Sequence, residues 1–213
     1  MNASRDASHT LGVVLPHRAQ LSSHYYSQVF KGVSDVVRQA RVHRFKLITL
    51  RPTASRWDRY DFKTREGVDG LIVTQWRTFF SNPAVLHRLG IPCAVISHRD
   101  ARLRAHCASA DDERGGRLAA RYLYQRGHWR IAIVTGPPHA LDSRLRVRGF
   151  LGYLQRVGVS VLLRKHGRSI SAIFCCNDNM AFGVLRASRR AGLSCPDDLA
   201  MTTIRAASIR IRR

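Results

Sequence analysis

Acidic residues are scarce in this chain: 14 Asp and Glu stand against 36 Lys and Arg in 213 residues, a formal net charge of +22. Lysine is scarcer still, at Lys31, Lys46, Lys63 and Lys165 only, and the arginines that supply the excess are scattered over almost every segment. No aromatic-interleaved basic run is present, so the charge lacks the signature of an RNA-binding strand. Long apolar runs are missing as well. No stretch approaches the ~18 to 20 apolar residues that span a bilayer, and Met1 to Thr10 lacks the apolar core of a signal peptide, so export is not expected. Cysteines are few and unpaired in pattern. Cys93, Cys107, Cys175, Cys176 and Cys195 include no CxxC, which argues against a zinc site or disulfide framework and fits the reduced cytoplasm. Enzyme signatures are also absent: no GxSxG, no GxxxxGK[ST], no HExxH and no helix-opening GxGxxG. No catalytic residue, metal ligand or cofactor is therefore assigned.

What is present is an ordinary globular composition, 45% hydrophobic and 23% charged, which excludes a disordered basic tail, a collagen-like chain or a coiled coil. A chain of this length buries about 70% of its unfolded surface. Continuous apolar runs at Leu11–Leu15, Phe45–Leu50, Val68–Thr74, Cys93–Ser97, Arg130–Thr135 and Ala172–Cys176 read as buried strands of a parallel sheet. Between them, apolar residues three and four apart mark helices around Tyr26–Val37, Leu118–Leu123, Leu145–Val157 and Met180–Ala187. Asp111 or Asp112 suits the cap of the second, which Gly127 ends. Asn177 or Asp178 suits the cap of the last, which Gly192 closes. Alternating strands and helices predict an α/β, doubly wound architecture. One interval is irregular. Only RKHGRSIS separates the apolar run Val159–Leu163 from the strand at Ala172, too short for a parallel crossover of about a dozen residues. Either that run is not a strand or a β-α unit is lost there.

The segment from Asp111 to Phe150, DDERGGRLAARYLYQRGHWRIAIVTGPPHALDSRLRVRGF, holds a capped helix with paired glycines, a Gly-His stop, a strand, a Gly-Pro loop and an Arg-bearing helix. This order is similar to the sensor domain of the lactose-repressor and galactose-repressor (LacI/GalR) family of bacterial transcription regulators. LGVVLP, YYSQVFKGVSDVVRQA, VDGLIVT with GIPCAVIS, and AIFCCNDNMAFGVLRASRRAGLSCPDDLAMTT resemble further family segments in order and spacing. The likeness runs over residues 10 to 204. It implies a periplasmic-binding-protein-like type I fold of two α/β lobes, here 11–110 and 111–204, with a polar tail over 1–10 and a basic tail over 205–213. Ligands of such folds sit at the carboxyl ends of parallel strands.

The resemblance implies effector-binding positions at Tyr25, Tyr26, Ser97, Arg146 and Asn177. Tyr25 and Tyr26 stand where the family places stacking aromatics, and helix core is an equal alternative for both. Arg146, three residues before Gly149, matches the family's effector arginine, whose planar fork suits paired hydroxyls or a carboxylate; a solvated arginine is the alternative. Asn177 is both a cap and a ligand candidate. Asp111 and Asp112 at the lobe crossover read as hinge and cap residues, and His128 reads as a helix-end residue rather than a general base. Departures from the family pattern accompany these matches. Ser97 replaces an expected Asp, and Thr203-Ile204-Arg205-Ala206 replaces an acidic effector-binding segment. The unit between Val161 and Ser171, the C-terminal return strands and a helix-turn-helix headpiece are not found among the 213 residues.

The expected function is a sugar-class or nucleoside-class sensor, and the resemblance implies that it pairs with a second copy of the chain as a homodimer. DNA contact would need the headpiece, apart from weak nonspecific adhesion to polyanions. A stand-alone solute-binding protein and a basic nucleic-acid-associated protein are the alternatives.

Overall fold

The computed structural model describes residues 9–16, 24–39, 44–51, 57–74, 80, 82, 84–96, 103, 105–138, 140–159, 170–204 and 209–212. Ser97, the run 160–169 and the stretch 205–208 lie outside these, as do residues 1–8 of the polar N-terminal tail. The chain divides into two units, one formed by the chain up to Ser109 with Ile211–Arg213, the other by Ala110–Arg210.

In the first unit the elements are β1 (Thr10–Pro16), α1 (His24–Gln39), β2 (Arg44–Leu50), α2 (Phe62–Glu66), β3 (Gly70–Thr74), α3 (Ala84–Arg88), β4 (Cys93–Ile96) and β5 (His106–Ala110). Pairing among β1 to β5 is parallel, and the sheet order β2-β1-β3-β4-β5 reverses direction at β1, as a doubly wound sheet requires. The run LGVVLP is apolar throughout because β1 is covered on both faces. Val14 packs with Ile48, Phe62, Val68 and Val73 on one side, while Val13 and Leu15 pack with Tyr26 of α1 on the other. The edge strand β2 departs from the expected full burial: only Ile48 and Leu50 are buried, and Phe45 and Leu47 are exposed. Strand β5, sequence HCASA, was not expected, because its small and polar residues carry little strand propensity. Pairing with β4, Val95 opposite Cys107, makes it a strand.

The second unit contains α4 (Asp112–Gln125), β6 (Ile131–Val134), α5 (Leu141–Arg156), β7 (Ala172–Cys175), α6 (Asp178–Arg190) and β8 (Ala200–Thr203). Its smaller, parallel sheet runs β6-β7-β8. Because β6 pairs with β7 directly, α5 is the crossover between them and the short RKHGRSIS interval does not have to provide one. Val159 is not in a strand; it packs on the core of α4, α5 and β7. At the centre of that core Phe150 and Phe174, both fully buried, stack with ring centroids 4.6 Å apart. Each such side chain contributes about 2 kcal/mol by leaving water.

A correction concerns the basic tail. Residues 209–212 form strand β9 (Ile209–Arg212), which lies beside β5 in the first sheet, so part of the segment taken as a terminal tail returns to the first unit. Alternating Ile-Arg-Ile-Arg has the two-residue period of a half-covered strand, a pattern hidden by the arginines when the segment is read for charge alone.

Candidate functional site

Helices α4 and α5 meet at glycine. A Cβ on Gly116 would stand 1.9 Å from the Arg146 carbonyl oxygen, and one on Gly149 would stand 1.9 Å from that of Glu113. The backbones touch at both points, which no larger residue permits. This close approach carries the side chains that follow each glycine's neighbours into register across the interface. Arg146 reaches Asp112, with Nε donating at 2.9 Å and Nη2 at 2.8 Å to the same oxygen, Oδ1. Arg148 pairs in parallel with Glu113.

Arg146 also donates through Nη1 to the Cys176 carbonyl at the end of β7. Asp142, one turn earlier on α5, stands 3.9 Å from Nη1. The Arg146 side chain is 15% exposed and that of Asp112 10%, so the pair is largely desolvated, whereas Arg148 is 65% exposed. A buried arginine held by a carboxylate and a carbonyl is neither a solvated surface arginine nor a free ligand arm.

Around it the carboxyl ends of β6 and β7 converge on helix starts. Asp111 caps α4, accepting from the Arg114 N–H at 3.2 Å. Asn177 caps α6, accepting from the Met180 N–H at 2.9 Å. Ser143, buried in the first turn of α5, accepts from the Gly136 N–H at 2.9 Å and lies beside the Cys176 thiol. Burial pushes that thiol up, against the opposing influence of the Ser143 hydrogen bond and the Arg146 charge. Gly136 sits in the loop after β6, with Met180 3.2 Å from where its Cβ would lie. The structure thus brings Arg146, Asp112 and Cys176 together next to Asn177. Sequence reasoning missed Ser143 and Asp142, although Asp142 stands four residues before Arg146, a spacing that places both on one helix face.

In the first unit Tyr26 is only 7% exposed and belongs to the core cluster of Val13 and Leu15, with Phe30, Val33 and Ile72 against it. Burial first, and the neighbouring Tyr25 second, push its phenol up to about 12, while a hydrogen bond to the Thr74 hydroxyl opposes them. Thr74 in turn donates to the Val14 carbonyl at 2.9 Å. Tyr26 therefore takes the helix-core alternative. Tyr25, its ring edge-on to Tyr26 at 5.0 Å, is 41% exposed. Ser97 lies outside the described residues. His128 accepts its helix-end position: its N–H bonds the Leu123 carbonyl, Gly127 has φ +79, and its Nδ1 lies 3.1 Å from Ser171 Oγ. Among the described residues no cluster of His, Cys, Asp and Glu could hold a metal ion, and no helix is long and apolar enough to cross a membrane.

A reversed-order parallel sheet, a second smaller parallel sheet and polar side chains gathered at strand ends define a periplasmic-binding-protein-like type I protein. The family model described as periplasmic binding proteins and sugar binding domain of LacI family matches residues 8–163, and a periplasmic binding protein-like domain model matches 120–209. The chain belongs to this LacI-type sugar-binding-domain family. Among its relatives, the arabinose metabolism transcriptional repressor of Geobacillus stearothermophilus is 26% identical over 90% of this chain and 60% of its own length. The ribose operon repressor of Escherichia coli is 25% identical over 91% of this chain and 64% of its own. The chain thus spans about six-tenths of the length of these curated relatives. A LacI family transcriptional regulator from Enterococcus faecium, solved with bound ribose, superposes with a TM-score of 0.72 at 25% identity, covering 90% of this chain and 76% of that one.

Proposed function

We propose that this chain is the effector-sensing part of a LacI-type transcription regulator and that its effector is a small sugar-class molecule. The observation that carries the reading is Arg146, fixed by Asp112 at the carboxyl ends of β6 and β7 with Asn177 beside it. Strand ends of open α/β sheets are where such folds bind ligands, and a planar guanidinium with donors to spare suits adjacent hydroxyls. The two curated relatives named above are described as repressors, one of arabinose metabolism and one of the ribose operon, and the ribose-bound regulator has the same fold. On this reading the protein binds rather than transforms its ligand, works in the cytoplasm and pairs with a second copy. DNA reading is assigned to a headpiece outside these 213 residues.

A thermal melt tests it. Pentoses and hexoses at millimolar concentration should raise Tm for at least one sugar, since a ligand bound only to the native state stabilises it by RT ln(1 + [L]/Kd). Arg146→Lys, which keeps the charge beside Asp112 but loses the fork, should abolish that shift. A cooperative melt that no sugar moves overturns the reading.

A further inference from the structure

Arginines that read as scattered along the chain gather, in the second unit, at one end of the sheet. Between Glu113 and Asp178 stand twelve arginines and lysines against a single acid, Asp142. Asp142 and the acids that border this stretch, Asp111, Asp112, Glu113 and Asp178, all lie at the starts of α4, α5 and α6. The ends of α4 and α5 have the opposite character. Helix α4 stops at Gln125 and β6 opens at Ile131, while His128 Nδ1 stands 3.1 Å from Ser171 Oγ just before β7. Around these strand beginnings Arg121, Arg126, Arg130 and Arg156 are exposed, and none of the four forms an ion pair among the described residues. Aromatic rings occupy the same end. Trp129, in the turn after α4, is 57% exposed; its ring stands edge-on to Tyr124 at 4.9 Å, and Tyr124 meets Tyr153 of α5 at 6.0 Å. Arg121 precedes Tyr124 by one helical turn, Arg130 follows Trp129 directly, and Arg156 comes one turn after Tyr153. Tyr124 thus props one side of the indole and leaves more than half of it to solvent, among unpaired cations.

We propose that this end of the second unit, where β6 and β7 begin, binds single-stranded nucleic acid, with a base stacked on Trp129 and backbone phosphates held by Arg121, Arg130 and Arg156. Guanidinium forks match phosphate oxygens, and each nucleotide brings a flat π-face together with its charge, a pairing that an acidic peptide lacks. In a duplex the bases cover one another's faces, so only a single strand offers one to the indole. The surface is separate from the Arg146 cluster, which is largely desolvated and sits at the carboxyl end of β7. The proposal therefore goes beyond the sensor reading and does not depend on it.

Fluorescence anisotropy of the whole chain with a labelled thymidine oligonucleotide, its duplex with the complementary strand, and a labelled polyglutamate peptide tests this at fixed salt; sedimentation with phosphatidylserine vesicles adds a lipid arm. The single strand should bind ten-fold or more tightly than the duplex, although the duplex carries the denser charge, and more tightly than polyglutamate or vesicles. Trp129→Ala, at an exposed position and with an unchanged melt, should weaken the single strand about ten-fold, the size of one lost stacking contact, and Trp129→Phe should recover most of that loss. Replacing Arg121, Arg130 and Arg156 together by Gln, all on the surface, should lower the slope of log Kd against log salt by about 2, at roughly 0.7 per phosphate contact on a single strand. Equal or tighter binding of the duplex, or a Trp129→Ala variant with native affinity, means that dispersed charge holds polyanions without a site, and overturns the proposal. Preference for polyglutamate or for vesicles overturns it in favour of those partners. None of these outcomes touches the sugar-dependent melt, so the sensor reading is judged separately.

Discussion

Two arginines two residues apart on α5 make the same bond to two neighbouring acids on α4, yet burial separates their consequences. Removing Arg146 takes the guanidinium away from Asp112 in a largely desolvated site, a loss that costs about 3 to 5 kcal/mol; the Arg148–Glu113 pair, whose arginine is exposed, contributes little. Arg146→Met should therefore lower the urea midpoint far more than Arg148→Met, and equal shifts would show that Asp112 is hydrated. Tyr26 permits a second comparison. Its phenol titrates near 12 in the folded chain and near 10 when unfolded. The unfolded state loses its proton first, so the stabilising contribution is complete below about pH 10 and is lost as pH rises towards 12. Tyr26→Phe should cost about 1 kcal/mol at pH 7 by removing the buried hydrogen bond with Thr74 and should flatten the alkaline decline, both read from denaturant midpoints against pH. The caps Asp111 and Asn177 were legible in the sequence because capping is local, satisfied within three residues. Whether Tyr26 faced core or ligand was not legible, since both positions favour an aromatic next to an apolar helix.

Among the elements, the crossing of α4 and α5 organises the second unit. Gly116→Ala and Gly149→Ala each drive a methyl group onto a carbonyl oxygen of the facing helix, and either should cost about 3 kcal/mol or more as the pair separates. Gly152→Ala, on α5 with nothing within 4 Å of its added Cβ, should instead stabilise by about 0.5 to 1 kcal/mol through helix propensity. Thermal melts of the three variants check both signs, and a neutral Gly116→Ala would mean that the helices part at little cost. The glycines stand out in the sequence as paired residues in a first helical turn, where propensity disfavours them; their reason is a contact about thirty residues away. Strands show the same division. The six apolar runs were visible as strands, but β5, with its small residues, and β9, with its arginines, exist through pairing with neighbours that no local pattern announces.

At the scale of the whole molecule the charge matters again. An excess of +22 repels itself in the compact state, and salt screens that repulsion, so Tm should rise between 50 and 500 mM NaCl; a falling Tm would mean that the exposed ion pairs outweigh the net charge. The same charge is the ground for the nucleic-acid alternative, whereas the fold and family place the chain with sugar-binding domains. By itself the sequence determined the α/β alternation, the helix caps and the family, because each is written in spacings of a few residues or in motifs of adjacent ones. Tertiary structure alone decided that Arg146 is locked by Asp112, that Tyr26 is core and that 209–212 joins the first sheet. Those depend on contacts between residues tens of positions apart, and a periodicity of two or 3.6 says which face a residue is on but not what that face meets.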